Sequence, residues 1–246
     1  MLAPVCPDQE EKFAMNTTTE KVTHAELRSE SDVSIENSRR GYRLFAPLYD
    51  IVFGASLQHG RRLAVRALEC QPGDRILEVC VGSGLSLSLY PKAASVTGID
   101  LSGEMLAKAM RRIRDKRLGA HASLAQMNAE HLAFADASFD SAVVMYAMAG
   151  LPDPVRAMRE IKRVCKPGAK IVIANHFLSR RMVARMCDAV LSPIYGLLRY
   201  RADLDMESFV ARAGLDVSQV WPANLFGYST VLVCRDRRYA SDSVTT

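Results

Sequence analysis

The chain has 246 residues, 49% hydrophobic and 24% charged, which excludes a low-complexity or disordered polymer and is long enough to bury a sizeable core. Net charge is +5, but residues 1–40 carry eight acidic and five basic side chains, which leaves the remainder at about +8. That excess favours an anionic partner without choosing among nucleic acid, an acidic lipid surface and an anionic cofactor.

In chain order, residues 1–33 are polar, hold a Thr-Thr-Thr run and are expected to be disordered or loosely helical. A helical pattern begins near Ser38 and places Tyr42, Phe45, Leu48, Tyr49, Ile51 and Val52 on apolar faces, interrupted by Pro47. A second helix is predicted over Gln58–Leu68. Alternation follows: a strand at Arg75–Val79, a glycine turn and a helix, a strand at Ser95–Ile99, a helix through Glu104–Arg114 and a short strand at Ala122–Gln126. Then come a buried strand at Ser141–Met145, a helix at Pro154–Val164 and a strand at Lys170–Ala174. Strands separated by helical patterns predict a mostly parallel sheet with helices on both faces, an α/β fold. Leu178–Tyr200 is long, apolar and basic. A helix at Met206–Ala213 stops at Gly214, and Asp216–Trp221 and Thr230–Cys234 read as a closing antiparallel hairpin, bringing the strands to seven.

Cys6, Cys70, Cys80, Cys165, Cys187 and Cys234 form no CxxC pair and no cluster with histidine at metal-ligand spacing. A reducing compartment and no metal are expected. The longest uninterrupted apolar run, Ala142–Leu151, is about half a membrane span. The first residues lack a basic segment followed by an apolar core, so no secretory leader is expected and any membrane contact would be peripheral.

The chemistry concentrates in Arg75-Ile-Leu-Glu-Val-Cys-Val-Gly-Ser-Gly84. A hydrophobic strand enters a glycine turn in which Gly82 and Gly84 let the backbone approach a ligand closely. The helix start expected after it would offer free N–H groups. Asp100 ends the next strand, where an acid can accept hydrogen bonds from both hydroxyls of a ribose. The same layout serves dinucleotides, whose fingerprint is GxGxxG, but here the run is Cys80-Val-Gly82-Ser-Gly84-Leu-Ser86, with no glycine at its first or last residue. Glu78 before the turn disfavours a phosphate and suits a cationic amino group. These residues favour S-adenosylmethionine (SAM), which has no pyrophosphate, over NAD.

Leu77-Glu-Val-Cys-Val-Gly-Ser-Gly-Leu-Ser86, then Leu-Tyr-Pro91, then Val96-Thr-Gly-Ile-Asp-Leu-Ser-Gly-Glu-Met-Leu106 resembles the class I SAM-dependent methyltransferases. With Phe45-Ala-Pro-Leu-Tyr-Asp50 and Asn175-His-Phe177, the chain is similar to the bacterial phospholipid N-methyltransferases, which make phosphatidylcholine from phosphatidylethanolamine. The likeness spans about residues 40–235. It implies a Rossmann-like fold in residues 34–240, with lid or membrane-contact helices at 34–70 and a basic amphipathic insertion at 178–204. It also implies that Glu78, Gly82 and Gly84 line the methionine part of SAM, that Asp100 binds the ribose, and that Leu101 and Met105 pack on the adenine. Asn128 and Ala129 stand where the class often has Asp-Ala; Asn128 still offers a carbonyl acceptor to the adenine amino group. Cys80 and Asn128 are departures from the class pattern.

At the carboxyl ends of the strands, Tyr146 follows the fourth strand and His176 the fifth, while Tyr42 and Tyr49 come from the N-terminal helix. These four are the candidates for catalysis, and Tyr49 and Tyr146 for cofactor contact as well. Methyl transfer is an in-line displacement, so alignment and exclusion of water do most of the work. Tyrosine faces suit a quaternary ammonium product, and His176 could remove or relay a proton. His121 and His131 read as surface or loop residues.

Arg180, Arg181, Arg185, Arg199 and Arg201 face one acid, Asp188, among aliphatic residues in the 178–201 stretch. Such a helix can lie on anionic head groups, so a phospholipid substrate and a peripheral place at the inner face of the cytoplasmic membrane are expected. Nucleic acid is not expected, since no binding module accompanies the arginines. Two alternatives stay open: a quinone-type or soluble methyl acceptor, and a SAM-binding protein without transfer activity.

Overall fold

The structure, a computed structural model, describes residues 54–177, 204–224 and 227–239. Seven strands, β1 (Arg75–Val79), β2 (Ser95–Asp100), β3 (Ala122–Gln126), β4 (Phe139–Met145), β5 (Cys165–Asn175), β6 (Leu215–Ala223) and β7 (Ser229–Asp236), form one sheet in the order β3-β2-β1-β4-β5-β7-β6. β3, β2, β1, β4 and β5 pair in parallel. β7 runs antiparallel to both β5 and β6. The hairpin expected at the C-terminus therefore closes the sheet with a single reversed strand.

Among the described residues four α-helices cover the sheet: α1 (Gln58–Leu68), α2 (Gly103–Asp115), α3 (Pro154–Val164) and α4 (Met206–Ala213). Their ends follow from short polar side chains. Ser102 caps α2 by accepting from the Met105 N–H, Asp153 caps α3 by accepting from Val155 and Arg156, and Asp205 caps α4 by accepting from Ser208. Each such cap is worth about 1 kcal/mol. Pro154 opens α3, where its missing N–H costs nothing, and Gly214 ends α4 in the left-handed region.

The central strands are buried on both faces, and alternate residues feed two cores. Val143, Val172 and Ala174 join Ala64, Val65 and Leu68 of α1 and Ala109 and Ile113 of α2 on one face. Ala142, Val144, Ile171 and Ile173 join Ala157, Met158 and Ile161 of α3 and Phe209 of α4 on the other. Thus α1, the described part of the expected lid region 34–70, is a core helix.

One expected element differs. The glycine turn is followed by a single 3-10 turn, Leu87–Leu89, and not by an α-helix. Tyr90 precedes Pro91, which biases it to the extended backbone it adopts (ψ 146°), and β2 starts four residues later. The free N–H groups of a helix start are therefore missing from this corner. The strands otherwise run a little longer than expected, most of all β5, which leaves α3 directly at Cys165. The segment 178–203 and residues 1–53 lie outside the described residues.

Candidate active site

The order of the sheet reverses at β1, which has β2 on one side and β4 on the other. Open α/β sheets bind ligands beyond the carboxyl ends of the strands at such a point. A cleft opens there, lined by Cys80, Gly82, Asp100, Leu101, Met105, Met127, Asn128, Ala129, Tyr146 and Leu151 among others.

Asp100 is the polar centre of the cleft. Its Oδ2 accepts from the Gly82 N–H at 2.8 Å, and its Oδ1 from the Ser102 N–H at 2.9 Å. The Leu101 backbone N–H adds a third hydrogen bond to this carboxyl. Burial pushes its carboxyl above the usual range, and the backbone donors oppose that. Gly82 has φ +56°, and a Cβ there would meet nothing within 4 Å, so the backbone borders open space. Cys80 also takes a positive φ, 57°, at the position where the class pattern has glycine. Burial raises its thiol far above the ordinary value, so it is neutral.

Glu78 and Gly84 do not line the cleft. Glu78 is buried and accepts from the Ser86 hydroxyl and, at 2.7 Å, from the Tyr90 hydroxyl. Burial pushes its carboxyl up to about 7 against those two donors and the positive charge of Arg61. Gly84 packs against α2: a Cβ there would come within 2.8 Å of Leu87 and 3.0 Å of Ala109. Arg112 of α2 donates to the Ser83 carbonyl at 3.1 Å. Glu78, Gly84 and Arg112 thus brace the turn that carries Gly82.

Among the apolar candidates, Leu101, Met105 and Ala129 all reach the cleft. Asn128 does too, with its Oδ1 accepting from the Glu130 N–H at 2.9 Å. Tyr146 ends β4 in the left-handed region at φ +59°, a strained choice for an aromatic residue. Its N–H donates to the Ala174 carbonyl at 2.6 Å, and Tyr146 is one of the cleft-lining residues. His176, just beyond β5, is buried and stacks on Tyr228 with ring centroids 4.2 Å apart. Its Nδ1 lies 2.6 Å from the Tyr228 carbonyl oxygen. A carbonyl only accepts, so Nδ1 carries a proton and Nε2 is the basic nitrogen of the neutral ring. His176 is not among the cleft-lining residues. Tyr42, Tyr49 and the five arginines of the 178–201 stretch lie outside the described residues. His131 is exposed and meets Arg156; His121 sits in the turn before β3 but is buried.

The sequence reading missed Met127, the run Gly150–Pro152 and Asn224. Asn224 sits after β6 and donates to the Tyr146 hydroxyl at 2.9 Å. Nothing local in the sequence marks a contact across 78 residues.

An acid held by backbone donors at the end of β2, an open glycine beside it and an apolar slot beyond it suit a nucleoside. They suit it without a built phosphate cradle, since no helix starts at the glycine turn. Together with the sheet order, this is the layout of a class I SAM-dependent methyltransferase fold. A family model described as a methyltransferase domain matches residues 77–173. The chain is 36% identical over 193 residues to a phosphatidylethanolamine N-methyltransferase of Cereibacter sphaeroides, covering 78% of this chain and 94% of that one. It is 31% identical over 147 residues to the ubiquinone/menaquinone biosynthesis C-methyltransferase UbiE of Geotalea daltonii, covering 56% of this chain and 62% of that one. In three dimensions it is similar to a SAM-dependent methyltransferase of Thermotoga maritima, with TM-score 0.61, 19% identity, and 80% and 99% of the two chains covered. The chain belongs to the SAM-dependent methyltransferases, and SAM is its cofactor. Among the described residues no helix is long and apolar enough to cross a membrane.

Proposed function

We propose that the protein is a SAM-dependent N-methyltransferase that converts phosphatidylethanolamine stepwise towards phosphatidylcholine at a membrane surface. The observation that carries this reading is the 36% identity to the Cereibacter sphaeroides enzyme over 94% of that enzyme's length. The quinone-type relatives are matched over shorter spans, 46–62% of their own length.

Bound SAM supplies an electrophilic methyl carbon on a sulfonium. Asp100 holds the ribose hydroxyls, and Leu101, Met105 and Ala129 enclose the adenine. Asn128 offers the second lone pair of its carbonyl to the adenine amino group. Gly82 lets the backbone approach the methionine part, with Glu78 and Gly84 acting on that part through the turn they brace. The Tyr146 ring excludes water from the reacting side.

An ethanolamine nitrogen must present its lone pair in line with the methyl–sulfur bond. With SAM bound, the C–N bond would form as the methyl–sulfur bond breaks to leave S-adenosylhomocysteine, and the ammonium would shed one proton before each transfer. His176 Nε2 relays that proton, because the Tyr228 carbonyl fixes the tautomer. Tyr42 and Tyr49 contribute aromatic faces for the increasingly methylated ammonium, and Tyr49 contacts the cofactor too. The arginines Arg180, Arg181, Arg185, Arg199 and Arg201 hold the enzyme on anionic head groups at the inner face of the cytoplasmic membrane.

A quinone-type acceptor is the second reading, favoured by the 31% identity to the UbiE relative. The two are separated by incubating the full chain with methyl-labelled SAM and vesicles containing either phosphatidylethanolamine or a demethylated quinol. Label in the aminophospholipid alone supports the proposal; label in the quinol alone overturns it.

A further inference from the structure

Asn224 joins three separate parts of the chain beside the cofactor cleft. Its Oδ1 accepts from the Gly60 N–H of α1 at 3.0 Å. Its Nδ2 donates to the Tyr146 hydroxyl at 2.9 Å and lies 2.9 Å from the Ser229 hydroxyl at the start of β7. Its own N–H donates to His59 Nδ1 at 3.2 Å. The orientation of the amide follows from the chemistry. Gly60 N–H can only donate, so the carbonyl oxygen must face it and the NH₂ must face the two hydroxyls.

Asn224 itself has φ +59°, a conformation that asparagine tolerates better than most residues. Tyr146 is also left-handed, and a tyrosine there needs support from its surroundings. That support comes at the far end of the ring. The Tyr146 hydroxyl sits over Gly60, where a Cβ would lie only 1.9 Å from the oxygen. The Ser229 hydroxyl also hydrogen-bonds to it, and the Leu57 carbonyl is 3.4 Å away, long for an O–H···O bond. The Arg61 guanidinium lies 5.5 Å from the ring centroid. The bond from Asn224, at 2.9 Å, is therefore a short, well-defined anchor of a residue that lines the cleft.

We propose that Asn224 is a positioning residue for the cofactor: it holds the Tyr146 ring against the cleft by fixing its hydroxyl. This rests on Tyr146 belonging to the cofactor site, and the experiment separates the two claims. Dissociation constants for SAM are measured by calorimetry on the full chain for wild type, Asn224→Gly, Asn224→Asp, Tyr146→Phe and the Asn224→Gly/Tyr146→Phe double variant, each checked for native circular dichroism. Glycine keeps the left-handed backbone while removing the amide. Asp keeps an acceptor for Gly60, and its second oxygen can accept from the Tyr146 hydroxyl, so it restores the anchor.

Asn224→Gly and Tyr146→Phe should each weaken SAM binding about 3- to 10-fold, the range expected for one hydrogen bond. The double variant should be no more than about 2-fold weaker than the worse single one, because both remove the same bond. Asn224→Asp should bind within about 3-fold of wild type. A merely structural role would lower thermal stability and leave the affinity of the folded protein unchanged. The inference is overturned if folded Asn224→Gly binds as wild type does while Tyr146→Phe does not, or if the two losses multiply. Wild-type affinity in Tyr146→Phe would remove both Tyr146 from the site and the role of Asn224.

Discussion

The backbone N–H of Gly82 donates to Asp100 Oδ2 at 2.8 Å, tying the turn after β1 to the acid that ends β2. With Ser102 on the other oxygen and Leu101 as a third donor, the carboxylate is aimed by backbone groups that no side-chain substitution removes. Asp100→Ala should therefore lose the ribose acceptors and also leave these backbone N–H groups without their partner. S-adenosylhomocysteine binding by calorimetry should weaken about 10- to 100-fold, the worth of one or two charge-assisted hydrogen bonds. Undiminished affinity would remove Asp100 from the cofactor site.

Glu78 gives a pH signature. Folded, its carboxyl releases its proton at about 7; unfolded, near its ordinary value of 4.5. Between those values the folded state binds more protons, so stability falls as pH rises through that window. The Glu78 share is on the order of 3 kcal/mol. Glu78→Gln has no such titration. The melting temperature of wild type minus that of the variant should fall between pH 4.5 and 7.5 and level off above. Parallel curves would mean that Glu78 is not held as described.

Gly60 is the seat of the Tyr146 hydroxyl. Gly60→Ala places a methyl 1.9 Å from that oxygen and 3.2 Å from its ring carbon. Overpacking of this kind costs about 1–3 kcal/mol, which outweighs the helix propensity gained near the start of α1. Thermal melts should show Gly60→Ala destabilised, and less so in a Tyr146→Phe background, where the nearest atom is gone. Equal losses in both backgrounds would count against the seat.

Lys162 tests a structural contact away from the cleft. Its Nζ donates to the Ala213 carbonyl at the end of α4 at 2.8 Å and lies 3.5 Å from Asp236, with both side chains almost fully buried. Lys162→Met should cost about 2–4 kcal/mol in denaturant unfolding while leaving SAM affinity unchanged. Asp236 keeps Arg238 at 2.6 Å, which limits the loss. A change in affinity would mean that the α3–α4 face reaches the site.

Periodicity was enough to locate the elements. Gln58–Leu68, Arg75–Val79, Ala122–Gln126, Pro154–Val164 and Met206–Ala213 stand where the apolar pattern and the caps put them. No α-helix follows the glycine turn, because the pattern Leu85-Ser-Leu-Ser-Leu89 suits several local structures and Pro91 biases Tyr90 to the extended backbone that ends the 3-10 turn. Asp100 was legible as the acid that ends β2, and Leu101, Met105 and Ala129, which the family resemblance implied, also line the cleft. The orientation of Glu78 was not: a strand alternates its faces, and whether an acid meets a ligand or a serine hydroxyl eight residues on depends on the loop. The Asn224–Tyr146 anchor is a tertiary contact with no local signal at all.

The most direct test of the central claim is the mass of the lipid product after the full chain is incubated with SAM and vesicles of phosphatidylethanolamine with anionic phospholipid. The account predicts aminophospholipid heavier by successive methyl groups, formed with stoichiometric S-adenosylhomocysteine and abolished in Asp100→Ala. Unchanged phosphatidylethanolamine in a reaction where SAM binding has been verified would contradict it.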